Sequence, residues 1–168
     1  GPAYWRYLLS VPAEKIELPK IGNRQIEVLD YKDLERLLKI QGSPNLRNLR
    51  DQAVIETFFS TGLRLAELCS LDRYIDLERG ELTVRGKGDK LRLVFLSDQA
   101  KKTVKEYLSK RTDAEPELFV SLSKDNKEIL GRITPRAVQR LISKRAAEAG
   151  IPKKIHPHQL RHSFATDL

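Results

Sequence analysis

The stretch HPHQLRHSFATDL at 156–168 holds His156, His158, Arg161 and His162. His158 and Arg161 are three residues apart and His158 and His162 four apart, the spacings at which side chains share one face of a helix. Pro157 suits a first helical turn. A guanidinium offers paired hydrogen bonds to phosphate oxygens, and an imidazole titrating near neutrality can take or give a proton or bind the same phosphate. The pair therefore suits a phosphate group undergoing a reaction. The alternative is that the histidines satisfy buried polar groups; that reading is kept for His162, and His156 is read as a capping or surface residue.

Two further segments carry candidate chemistry. In STGLRLAEL (60–68), Arg64 follows Gly62 at the start of a helix and Glu67 lies three residues on. One reading aims Arg64 at a phosphate, with helix N-terminal amides nearby and Glu67 holding Arg64 or its neighbours. The other is an exposed i,i+3 ion pair worth a few tenths of a kcal/mol. In RGKGDKLR (85–92), Arg85, Lys87, Lys90 and Arg92 crowd one turn. A lysine on a tight Gly-X-Gly turn can reach into a groove and give a proton to a leaving alkoxide, whereas a plainer basic hairpin only touches backbone phosphates. The segment is not a Walker A loop, because G-x-x-x-x-G-K-[ST] is absent.

The elements that must position these groups follow from periodicity and caps. Asp30 is placed to cap a helix through Ile40, with Leu34, Leu37 and Leu38 inward. After the loop QGSPN (41–45), LRNLRDQAVIETFFSTG spaces Leu46, Leu49, Ala53, Ile55, Phe58 and Phe59 at mostly helical intervals and ends at Gly62. A short helix is expected over 63–71. ELTVRGKGDKLRLVFL (81–96) changes period: Leu82 and Val84 alternate before the turn, Leu91, Leu93 and Phe95 after it, which predicts two antiparallel strands. Ser97 caps a helix over 97–111 with Ala100, Val104 and Leu108 inward. Residues 112–132 read as a polar connection around a short LFVSL strand. Thr134 and Pro135 then open a helix with Val138, Leu141 and Ile142 on its apolar stripe and Gly150 as its stop, and a terminal helix is expected from about Pro157. Residues 1–28, opening on a Gly-Pro that resembles a protease scar and broken by Pro12 and Pro19, read as a tag remnant and interdomain linker. The fold class is mainly α with a small antiparallel β-hairpin.

Composition narrows the partner. The 31 Lys+Arg against 23 Asp+Glu give +8 and a pI near 9.6, which favours a polyanion. No apolar run approaches the ~18 residues of a membrane span and no signal pattern opens the chain, so a soluble, intracellular protein and nucleic acid are expected, with no membrane. Cys69 in LAELCSL reads as a small buried hydrophobe, and three clustered histidines without a nearby cysteine predict no metal.

TGLRLAEL, VRGKGDKLRLVFL and HPHQLRHSFAT, in that order, resemble the catalytic domain of the tyrosine recombinase (phage integrase) family, its Xer-type branch most closely, over roughly residues 28–168. The resemblance implies Arg64 as the first arginine on the scissile phosphate, Arg161 as the second, and Lys87 as general acid toward the 5′-hydroxyl leaving group. His158 becomes the acid/base partner of the nucleophile, Glu67 and His162 support the site, and Arg85, Lys90 and Arg92 contact DNA. It implies site-specific recombination through a 3′-phosphotyrosyl intermediate without cofactor, double-stranded DNA as partner, a tetramer on DNA in the intact protein, and a cytoplasmic, nucleoid-associated location; whether a directing protein takes part stays open. All five tyrosines, Tyr4, Tyr7, Tyr31, Tyr74 and Tyr107, precede His158, and none matches the family's nucleophile. The chain is accordingly expected to end before that tyrosine, and to bind DNA without cleaving it. Two alternatives stand beside this: a noncatalytic basic DNA-binding module, and a nuclease or relaxing topoisomerase.

Overall fold

The computed structural model describes residues 31–39 and 42–151. Helix α1 (Tyr31–Leu38) leads to α2 (Leu46–Thr61), whose N-terminus is capped by the Asn45 side chain accepting from the Asn48 N–H. Sixteen residues long, α2 is the spine of the core: Ala53, Val54 and Ile55 are fully buried, and Phe58 nearly so. It ends at Gly62, which adopts the left-handed conformation (φ 65°) and donates its N–H to the Phe58 carbonyl, the geometry for which glycine is preferred. Helix α3 (Leu65–Cys69) starts three residues later.

Strands β1 (Glu81–Arg85) and β2 (Leu91–Phe95) form the expected antiparallel hairpin, pairing Leu82 with Val94, Val84 with Arg92 and Arg85 with Leu91. The next helix, α4 (Asp98–Lys110), is capped by Ser97 and lies along α2. Its inner face uses Ala100, Val104 and Tyr107, all fully buried, while Leu108 is only partly buried. The phenol ring stacks on Phe119 at 5.9 Å, with the Arg111 guanidinium 5.7 Å from its centre.

The connection over 112–132 departs from the single short strand expected there. It contains a second antiparallel hairpin, β3 (Val120–Leu122) and β4 (Ile129–Arg132), with a register irregularity between Ser121 and Leu122. Strands of three and four residues with a bulge are too short for alternation to emerge from sequence. Helix α5 (Pro135–Glu148) is capped by Thr134 as expected and buries Val138, Leu141 and Ile142, but also Arg145. Arginines stitch these layers together. Arg50 donates to the Val120 carbonyl, Arg111 to those of Glu117 and Leu118, and Arg145 to Gln52 and the Leu37 and Lys39 carbonyls. Three of the cations behind the net charge are thus interior fasteners, each under a tenth exposed.

Candidate phosphate and nucleic-acid site

Arg64 is the residue just before α3, in extended backbone, flanked by the fully buried Leu63. That anchor leaves Arg64 exposed, and its guanidinium forms no ion pair within 4 Å among the described residues. The i,i+3 pair with Glu67 does not form. Instead the Glu67 carboxylate, 9% exposed, accepts the Arg64 backbone N–H at 2.9 Å and takes the Arg92 guanidinium in two bonds of 2.8 and 2.9 Å. Burial pushes the Glu67 carboxyl up, but the bonds from Arg92 and the Arg64 N–H, with both guanidinium charges, outweigh it and hold the group below its ordinary range. The helix-end amide that the sequence reading left for a phosphate is therefore already occupied by Glu67. The far end of α3 is fastened too: Arg132 donates to the Cys69 and Leu71 carbonyls and pairs with Asp72.

The basic hairpin is held at both ends. At its base the Ser97 N–H donates to the Ser60 hydroxyl at 2.6 Å, and the Leu96 N–H to the Gly80 carbonyl. At its tip, Gly86 donates to the Lys90 carbonyl and accepts from the Asp89 N–H, closing a 3-10 turn over Lys87–Asp89. Strand alternation sorts the cations by face. Arg92 lies opposite the buried Val84, on the side turned toward α3, whereas Arg85 lies opposite the exposed Leu91. Arg85 pairs with Asp89 across the exposed tip, and such a pair is worth little. Lys87 and Lys90 are exposed and form no ion pair among the described residues.

Arg64 and the turn that bears Lys87 thus converge on one carboxylate. A side chain added at Gly86 would stand 2.9 Å from Arg92 Nη1 and 3.6 Å from Glu67 Oε2, so the residue before Lys87 lies directly on the ion pair. A groove of about 400 Å³ beside β1 is lined by Asp72, Asp76 and Glu81 as well as Arg85; its carboxylates suit a phosphate poorly. His158, Arg161 and His162 lie outside the described residues. Of the tyrosines that are described with their side chains, Tyr107 is sealed in the core and Tyr74 is exposed. Among the described residues no group of three His, Cys, Asp or Glu is placed to hold a metal, and no helix is long and apolar enough to cross a membrane.

Residues 27–168 match the model of the phage integrase family. The chain belongs to that family. Its relatives place it near the Xer proteins: tyrosine recombinase XerA of Pyrococcus furiosus is 37% identical over 169 residues, covering 99% of this chain and 56% of that protein. XerC of Pseudomonas aeruginosa is 37% identical over 161 residues, 94% of this chain and 51% of that protein. Among solved structures, the XerA recombinase superposes with a TM-score of 0.66 at 28% identity, over 81% of this chain and 48% of that one. The XerH site-specific recombinase bound to palindromic difH substrate, a post-cleavage complex, does so with a TM-score of 0.68 at 27% identity, over 88% and 43%. The chain spans about half the length of these relatives. The mainly α fold with small antiparallel sheets is the tyrosine-recombinase catalytic-domain fold. Sequence reasoning placed Arg64, Glu67 and Lys87 in one site but did not foresee the bond between Glu67 and Arg92. The alternation of the second strand sets Arg92 in step with Val94, but it does not tell which of the two faces turns inward.

Proposed function

We propose that this chain is the phosphate-binding part of a site-specific DNA recombinase that cleaves and rejoins strands through a 3′-phosphotyrosyl intermediate. The observation that carries the reading is the Glu67 carboxylate, which ties the backbone of Arg64 to the hairpin that bears Lys87. Arg64 binds a nonbridging oxygen of the scissile phosphate, and Arg161 a second, so negative charge gathering there during transfer is stabilised without a metal. A tyrosine oxygen attacks phosphorus while the bond to the 5′-oxygen breaks, and Lys87 gives that oxygen its proton; His158 takes the proton of the nucleophile. The phosphotyrosyl bond keeps the energy of the broken phosphodiester, so a second 5′-hydroxyl can reverse the step onto a new partner. Lys90 and Arg85 contact backbone phosphates, and His162 supports the phosphate end.

None of the five tyrosines follows His158, and in this reading none of them is the nucleophile, so this chain by itself binds duplex DNA without bonding to it. Assembly as a tetramer on DNA, in the cytoplasm with the nucleoid, belongs to the same reading. The experiment is to mix the chain with a nicked duplex that traps covalent intermediates and run native and denaturing gels side by side. A native shift with no adduct surviving denaturation is expected; an adduct would overturn the assignment of the nucleophile. In the full-length protein, Arg64→Ala and Arg161→Ala are expected to abolish cleavage and largely spare binding. Loss of affinity and salt slope alone would favour a noncatalytic DNA-binding module.

A further inference from the structure

We propose that Arg92 is a positioning residue for proton donation by Lys87, and not a DNA contact; the inference rests on the reading of Lys87 given above. Arg92 looks from sequence like one more cation of a basic hairpin, but each of its two terminal nitrogens donates to Glu67, at 2.8 and 2.9 Å, although the side chain keeps 43% of its surface exposed. It stands on the inner face of the hairpin, in register with the buried Val84. The same carboxylate holds the Arg64 backbone at 2.9 Å. One bidentate pair therefore spans from the residue that binds phosphate to the hairpin whose turn carries the lysine. Bidentate arginine–carboxylate contacts constrain both distance and plane, which a lysine at that position would not do.

Gly86 completes the device. Its backbone passes so close over the pair that any β-carbon would meet Arg92 Nη1 at 2.9 Å. The φ of Gly86 is −99°, open to any residue, so a side chain here would disturb the guanidinium tip of Arg92 and not the backbone conformation. Lys87 follows directly, and Gly88 (φ 74°) and Asp89 (φ 62°) turn the chain back. The height of the Lys87 backbone above Arg64 is thus set by Gly86 resting on the Arg92–Glu67 pair.

The test uses the full-length recombinase, in single turnover, on two substrates: a normal phosphodiester and one whose 5′-bridging oxygen is sulfur. A thiolate leaves without a proton, so the sulfur substrate bypasses the general acid. Arg92→Gln is expected to slow the normal substrate by roughly a hundredfold, the scale of an ångström-level misplacement. The sulfur substrate is expected to restore it to near the wild-type rate, as it does Lys87→Ala. Gly86→Ala, which keeps every charge, is expected to behave in the same way. The salt dependence of DNA binding by Arg92→Gln stays at the wild-type slope. A slope reduced by about one, with bound DNA cleaved at the normal rate, would make Arg92 a phosphate contact and overturn the inference. Rescue of Lys87→Ala but of neither Arg92→Gln nor Gly86→Ala would overturn it while leaving Lys87 as the acid. No rescue of Lys87→Ala would remove the reading of Lys87 and the inference with it.

Discussion

Glu56 is a buried acid with no salt-bridge partner among the described residues. It lies on α2, 6% exposed, and its Oε1 accepts from Gln52 Nε2 at 3.2 Å. Arg145 approaches from α5 but spends its bond on Gln52 Oε1 at 2.7 Å, so the amide stands between acid and base. Burial pushes the Glu56 carboxyl up to about 7 from an ordinary 4.5. The folded state therefore binds a proton that the unfolded chain has already released, and stability falls as pH rises from about 4.5 through about 7. The difference converts to about 3 kcal/mol at about 1.4 kcal/mol per pH unit, fully lost above pH ~7.5. Glu56→Gln keeps an acceptor for Gln52 and removes the titration. At pH 8.5 the variant is expected to exceed the wild type by up to about 3 kcal/mol, or roughly 6–12 °C in Tm, and near pH 4 the two should coincide. Urea melts of both proteins across this range make the measurement, and the contributions of all other groups cancel in the comparison. A difference that does not change between pH 4 and 8.5 would refute the reasoning, because it would mean that Glu56 ionises in water in both states.

Asp113 should show the opposite sign. Its hydrogen bond from Arg111 outweighs burial and holds it at about 2, below an ordinary 3.8, so its stabilisation is present above about 4 and fades as pH falls toward 2. Asp113→Asn should cost about 2 kcal/mol at neutral pH, with the deficit closing in acid, as followed by denaturant melts. The Cys69 thiol, 5% exposed and pushed up to about 11 by burial, is expected to resist a thiol reagent at pH 8 until denaturant is added. Lys90→Gln should lower the slope of log affinity against log salt by about one without changing the fold, as read by fluorescence titration.

Local rules reached far into this molecule. Caps at Ser97 and Thr134, the stop at Gly62 and the basic turn at 86–90 were legible because each depends on a few neighbouring residues. The order of the motifs likewise drew Arg64, Glu67 and Lys87 into one site. Long-range choices were not legible. Nothing in the spacing of TGLRLAEL tells Glu67 to pass over the Arg64 guanidinium, three residues away, for that of Arg92, 25 residues away. A helix only five residues long and a hairpin folded across it make that the nearer charge. Arg50, Arg111 and Arg145 entered the sequence reading only through the net charge, yet each is interior because unpaired carbonyls at strand and helix ends need donors that the backbone cannot supply. Leu91, Leu93 and Phe95 alternate as a core strand would but face outward, at 63%, 53% and 57% exposure. Alternation specifies that two faces differ; only the packing of β1 and β2 against the body decides which of them turns inward.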